Sequence, residues 1–165
     1  MATATGKQLA KTIGKHIGEL QKMCAGLDEN TASRAPEGRW SPKEILSHLA
    51  GPEGGGHMPI LQAFLDQDTP RIDLVIEDPF YSEKRARMTF AELLAEVQEE
   101  YERISEFAAG LTMKQLDRKA HVPVLKDTPL GEHPTLEGLL GGLGFFHIEF
   151  HIAHLREILK SLGRE

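Results

Sequence analysis

The sequence predicts an all-α protein, a four-helix bundle of a single domain, and three observations carry that expectation. Long segments repeat apolar residues at helical spacing. Two of those segments open on capping boxes. The chain has no internal repeat and no low-complexity tail, so helix packed on helix is the default architecture.

The first helix is expected from about Gly6 to Leu27, with Leu9, Ile13, Ile17, Leu20 and Cys24 on one face. A polar stretch, Asp28 to Gly38, ends it. The second begins at Ser41, with Pro42 in its first turn and Glu44 completing a capping box. Ile45, Leu46 and Leu49 mark its apolar face before the run GPEGGG, Gly51 to Gly56. That run lacks the Lys-Ser/Thr of a phosphate loop, so it reads as a break or wide turn. The apolar pattern resumes at Met58, Ile60, Leu61, Phe64 and Leu65.

A long connection follows, from Asp66 to Met88, with a short strand or extended strap expected at Ile72 to Ile76. Thr89 and Glu92 form the second capping box. Leu93, Leu94, Val97, Tyr101, Ile104 and Phe107 then define the third helix. TMKQLDR adds one short helical turn, and the proline-bearing stretch from His121 to Pro134 reads as loop. The last helix runs from near Thr135 to about Leu162 and stops at Gly163.

Composition narrows the function. The chain has 165 residues, 40% hydrophobic and 27% charged, which suits one soluble globular domain. Its net charge of −6 argues against nucleic acid or an anionic membrane as partner. A lone cysteine, Cys24, excludes an intramolecular disulfide and fits a reducing cytoplasm. The first residues lack the apolar core of a signal peptide, and no run suffices for a membrane span. A cytoplasmic protein is expected. The oddity is its eight histidines.

Three of them lie in GFFHIEFHIAHLREIL on the last helix. At about 100° per residue, His151 falls about 40° from His147, and His154 about 20° to its other side. All three belong to the bundle-facing stripe. His147 and His151, at i and i+4, can aim ring nitrogens at one point. Two readings follow: core histidines satisfied by protein partners, or metal ligands. Several imidazoles on one dry stripe multiply the demand for partners, and a metal meets several demands together. The pattern is not HExxH, because Glu149 points about 200° away from His147 and cannot act as a zincin base.

His48 adds an imidazole beside the apolar face of the second helix. The segment Trp40, Ser41, Glu44, His48, Leu49, taken with His147 and His151 near the C-terminus, resembles the DinB-like family of four-helix-bundle metalloproteins. YfiT-like hydrolases and thiol S-transferases belong to that family. The resemblance implies a three-histidine site, His48, His147 and His151, for a divalent transition metal. Imidazole donors suit zinc, nickel or iron rather than magnesium or calcium. The family often has Gln where this chain has His154, which is the candidate catalytic acid/base, a fourth ligand, or a partner of another ligand. The implied reaction is hydrolysis or thiol S-transfer on a small molecule, with a low-molecular-weight thiol as a candidate partner. A non-catalytic metal- or ligand-binding bundle is the alternative. The glycine run departs from the family's longer second helix, so the pocket wall there is its own.

Other residues have simpler readings. Glu44 caps its helix, or else holds His48 as a carboxylate behind the ligand. Trp40 packs over the start of the second helix. His57 is a rival ligand if the glycine run folds back. His16, His121 and His133 are expected at the surface, Cys24 in the core, and KRAR (Lys84 to Arg87) on a solvated face. Gly138, Gly141 and Gly142 imply close backbone approach by a neighbouring helix or a second subunit, hence an expected homodimer.

Overall fold

The computed structural model describes residues 5–163. Helix α1 spans Gly6–Cys24 and opens on a capping box that the sequence reading missed, Thr5 with Gln8. A short turn, α2 (Glu29–Ala32), sits within the polar connection. Helix α3 (Pro42–Ala50) starts as expected, with Ser41 accepting from the Glu44 N–H and Glu44 reaching back to the Ser41 N–H. Helices α4 (Met58–Asp66), α5 (Glu83–Arg87), α6 (Phe90–Ala109) and α7 (Met113–Leu116) follow. A 3-10 turn at Pro123–Leu125 precedes α8 (Leu136–Gly141), a π-helical turn (Gly142–His147) and α9 (Ile148–Ser161).

The bundle is built from α1, α3, α6 and the C-terminal helix. Helices α1 and α3 each contact both α6 and α9. Leu20, Ile45, Leu46, Leu49, Leu93, Val97, Ile104 and Leu155 are completely buried between them. Each such side chain contributes about 1.5–3 kcal/mol relative to exposure. Among the described residues no helix is long and apolar enough to cross a membrane.

The glycine run ends α3 abruptly. Gly51, Gly54 and Gly56 have φ of 78°, 85° and 59°, a region that L side chains rarely adopt. At Gly56 a Cβ would also overlap the carboxylate of buried Glu100 on α6. Glu100 accepts the His57 N–H at 3.0 Å and pairs with Arg103 at 2.8 Å. The break is therefore a docked turn.

Arg85 secures the other side of it, and here the solvated face expected for KRAR holds at Lys84, Ala86 and Arg87 but not at Arg85. Arg85 is 1% exposed. Its guanidinium donates to the carbonyls of Ser47 at 3.1 Å, Gly51 at 2.6 Å and Phe80 at 3.2 Å, and pairs with Glu96 at 2.7 Å. At the end of α3 a single N–H, that of Gly51, is shared by the Ser47 and His48 carbonyls, and a five-donor planar cation is suited to supply the donors a helix C-terminus lacks.

The 72–76 segment is an extended strap and not a strand. Its start makes an isolated bridge, Arg71 with His121, and Ile72 donates to the His121 carbonyl at 2.8 Å. The last helix runs unbroken in direction, with φ/ψ near −63°/−43° at Gly141 and −66°/−46° at His147. Its π turn was not anticipated. The turn shifts side-chain register by a residue and brings Gly144 against α1, where a Cβ would overlap Ile13. Thus the close approach inferred for Gly138, Gly141 and Gly142 occurs chiefly at Gly144, within the same chain. Gly138 and Gly142 face Leu130, and Gly141 faces open space.

Candidate metal centre

His48 projects from α3, His147 from the end of the π turn and His151 from α9. One ring nitrogen of each lies within 4.8 Å of the others. The His48 ring centroid is 4.9 Å from that of His147 and 4.6 Å from that of His151, and His147 and His151 are 4.7 Å apart. The contacts around them set the helix direction. Arg39, before α3, pairs with Glu157 at 2.9 Å, Trp40 lies 6.3 Å from His151, and His48 meets His147. Moving forward along α3 means moving backward along α9, so the two helices are antiparallel at the cluster. The site accordingly sits by the Trp40 turn.

The ring nitrogens suit a cation. His48 Nδ1 is 2.6 Å from the Asp78 carbonyl, which can only accept, so that nitrogen carries the proton. A neutral His48 then presents a bare Nε2, 2.9 Å from Nε2 of His147. His147 Nδ1 is buried without a hydrogen-bond partner among the described residues. If His147 Nε2–H donates to His48, its Nδ1 lone pair is left unmet. If the proton sits on Nδ1, two bare Nε2 atoms face each other. Lone pairs converging on one point are what a metal requires.

Electrostatics favour the same form. Burial, then the charges of His48 and His57, pushes the His147 pKa down to about 3. Burial, then His147, His48 and His154, pushes His151 down to about 2. Burial lowers His48 as well, against the raising effect of the Asp78 carbonyl and charge. All three imidazoles are neutral at ordinary pH, which is the ligating state.

Asp78 belongs to a segment that sequence reasoning did not connect with the site. Its side chain accepts the Phe80 N–H at 2.7 Å, and Phe80 stands at φ 52°. Ser47 donates to the Phe80 carbonyl at 3.0 Å, and the Phe80 ring stacks on His48 at 6.1 Å. A non-glycine residue in left-handed backbone is held by its surroundings, here by α3 itself. No spacing rule in the sequence signals this contact.

The remaining candidates divide. Glu44 serves the capping box, while the Asp78 carbonyl holds His48. Trp40 rests against the imidazoles, 5.2 Å from His48 and 5.9 Å from His154. His154 lies outside the three-nitrogen cluster, with its Nδ1 3.3 Å from Nδ1 of His151. Burial lowers its pKa, and nearby Arg39 adds to that effect. His57 is not a member of the cluster: its Nε2 donates to the Leu49 carbonyl at 3.0 Å. His16, expected at the surface, is buried, because its Nδ1 finds the Thr12 carbonyl at 2.9 Å and Phe145 packs edge-on at 4.7 Å. His121 is half-buried and His133 is exposed, as expected of a surface residue, and the two rings stack on each other at 4.8 Å. Cys24 is a core thiol, its pKa raised by burial to about 12.

Two cavities meet at His147. One, about 970 Å³, reaches His48 and His147 through a largely aliphatic and aromatic wall. The other, about 670 Å³, is lined by Arg39, Trp40, Glu77, His151 and His154.

Antiparallel helices holding three converging imidazoles define a helical-bundle protein with a candidate transition-metal centre. Residues 13–158 match the model of the DinB superfamily, and the chain belongs to that superfamily. Among solved structures it is similar to YfiT from Bacillus subtilis, described as a probable metal-dependent hydrolase with an unusual four-helix bundle topology. The two share 23% identity at a TM-score of 0.77, over 97% of this chain and 89% of that one. A protein from Streptococcus pneumoniae is similar at 15% identity and a TM-score of 0.63, over 96% of this chain and 94% of that one. These likenesses show the fold, a four-helix bundle. No curated protein matches significantly.

Proposed function

We propose that this chain is a metal-dependent hydrolase acting on a small molecule, with a divalent transition metal held by His48, His147 and His151. The observation that carries the reading is the convergence of three neutral ring nitrogens within 4.8 Å. An all-imidazole set suits zinc, nickel or iron. When bound, the metal supplies Lewis acidity that brings a water pKa toward neutral. Three protein donors leave at least one position for a reactant, the feature that separates catalytic from structural zinc sites. The description of YfiT supports the same class of activity.

The chain's own residues have definable parts in this. The Asp78 carbonyl fixes the His48 tautomer, so Nε2 is the donor atom. His154 contacts Nδ1 of His151 and lines the cavity beside Arg39, where it can take or give a proton to a reactant. Trp40 covers the cluster on that side.

A second reading, thiol S-transfer, is favoured by the pair of cavities. Two chambers meeting at one imidazole suit two reactants, with a polar low-molecular-weight thiol on the Arg39 side. Elemental analysis of protein purified without an affinity tag should find about one transition metal per chain, as a single three-donor site requires. Chelator-sensitive turnover should then be measured on ester, amide and thiol panels. Absence of metal sinks both readings. Metal without turnover leaves a binding protein, and thiol-dependent turnover alone selects transfer.

A further inference from the structure

The larger cavity has a composition that the proposed reaction does not require. Its wall includes Ile60, Leu74, Leu125, Leu130, Leu139 and Leu143, contributed by α4, the strap, the loop before α8, and the last helix. The polar side chains on that wall, histidines aside, are already engaged. Thr12 donates to the Gln8 carbonyl at 3.1 Å, and Thr128 to the Leu125 carbonyl at 2.7 Å. Asp73 accepts from Arg71 at 3.2 Å, and Glu137 also has a partner. What the chamber offers a ligand is hydrocarbon, except where His48, His57 and His147 enter it, and Nε2 of His57 is already held by the Leu49 carbonyl.

The mouth is equally apolar. Val75, Ile76, Phe146 and Phe150 line this cavity, yet each is at least half exposed, up to 70% for Phe146. Large apolar side chains gathered at one opening mark a surface that receives apolar material. Phe146 and Phe150 stand one helical turn apart and bracket His147, so the apolar rim is continuous with the candidate ligand set.

We propose that the substrate is a small molecule with one polar, metal-seeking head and an extended hydrocarbon body, and that this body lies in the chamber. The assignment rests on the metal reading above and specifies the substrate class for that site. A volume of about 970 Å³ is at the upper end of small-molecule pockets, room for a medium-length acyl chain or a fused aromatic body. The head alone meets polar atoms, at the end where His48 and His147 converge. Specificity resides in the tail.

The glycines of the last helix provide the chamber's clearance. Gly138, Gly141 and Gly142 all line it. A Cβ at Gly142 would stand 3.2 Å from Leu130, whereas at Gly141 it would meet nothing within 4 Å. Gly141 has ordinary helical backbone, φ −63°. A larger side chain there is conformationally allowed and projects into the space that the tail would fill.

The test uses the full chain loaded with cobalt and titrated with straight-chain hydroxamates from acetohydroxamate to octanohydroxamate. Visible absorption reports arrival of the head, independently of turnover. Affinity should rise about two- to fourfold per added methylene. Gly141→Leu should keep acetohydroxamate binding and the unfolding midpoint, since leucine favours helix over glycine, while flattening the series. Affinity independent of tail length, with acetohydroxamate still bound, overturns this inference and leaves the metal reading standing. No bound cobalt overturns the metal reading and the inference with it. A chain-length series that survives in Gly141→Leu overturns the placement of the tail in this chamber. A dimer in sedimentation equilibrium together with a flat series assigns the apolar rim to a second copy instead.

Discussion

His48 and His57 stand on either side of the glycine break, at the end of α3 and the approach to α4, and the protein treats them differently. His57 is provided for by its own chain: Nε2 meets the Leu49 carbonyl, and its backbone N–H meets Glu100. His48 has one nitrogen provided for by Asp78, while the other is turned toward His147 and His151. The difference teaches what makes an imidazole on an apolar face a ligand. His48 is buried and His57 half-buried, and both have lowered pKa values because desolvation disfavours the charged ring. Only around His48 do the protein's donors and acceptors run out, leaving lone pairs that face one another.

The strongest way to break that comparison is His147→Ala. It should remove stoichiometric metal while leaving far-ultraviolet circular dichroism nearly unchanged, because the helix does not depend on that ring. Metal retained at wild-type content would take His147 out of the site. On the other side of the break, His57→Ala should do the opposite. Metal content should hold, and stability should fall by about 1–3 kcal/mol as the Leu49 carbonyl loses its donor. Denaturant midpoints measured on metal-stripped protein give the second quantity, and elemental analysis gives the first. Loss of metal in this variant would make His57 a ligand after all.

A smaller effect should come from Asp78→Ala. The carbonyl that holds His48 belongs to the backbone, but the Asp78 side chain fixes the turn by accepting the Phe80 N–H. Loosening it should weaken metal affinity by about tenfold, the lower end for groups that support a ligand. Competition with a chromophoric chelator would detect this, and unchanged affinity would show that the Ser47 and Arg85 contacts to Phe80 hold the turn without it.

The smallest effect is in pH. Unfolded His57 takes up a proton near its ordinary pKa of 6.5, whereas the folded ring, depressed by burial, does so only at lower pH. The unfolded chain therefore binds more protons just below 6.5, and stability falls as pH drops through that value. His57 should contribute at most about 1 kcal/mol of loss between pH 6.5 and 5.5. His57→Ala should remove that share from the slope of metal-stripped protein, and an identical slope would refute it.

By itself the sequence determined whatever depends on neighbours within a turn or two of chain. Ser41 with Glu44 and Thr89 with Glu92 mark helix starts because capping is a contact across three residues. Helical spacing puts His147 and His151 side by side for the same reason, and glycine's access to positive φ makes the 51–56 run a break. The failures have the opposite character. Arg85 looks like one more surface cation until Ser47, Gly51, Phe80 and Glu96 are assembled around it. His16 looks exposed until Phe145 arrives from the far end of the chain. The Asp78 carbonyl, the apolar chamber and the π turn that seats Gly144 on Ile13 carry no local pattern. Each arises where segments far apart in the chain are packed together, and the free energy of such contacts comes from the partner that tertiary structure supplies.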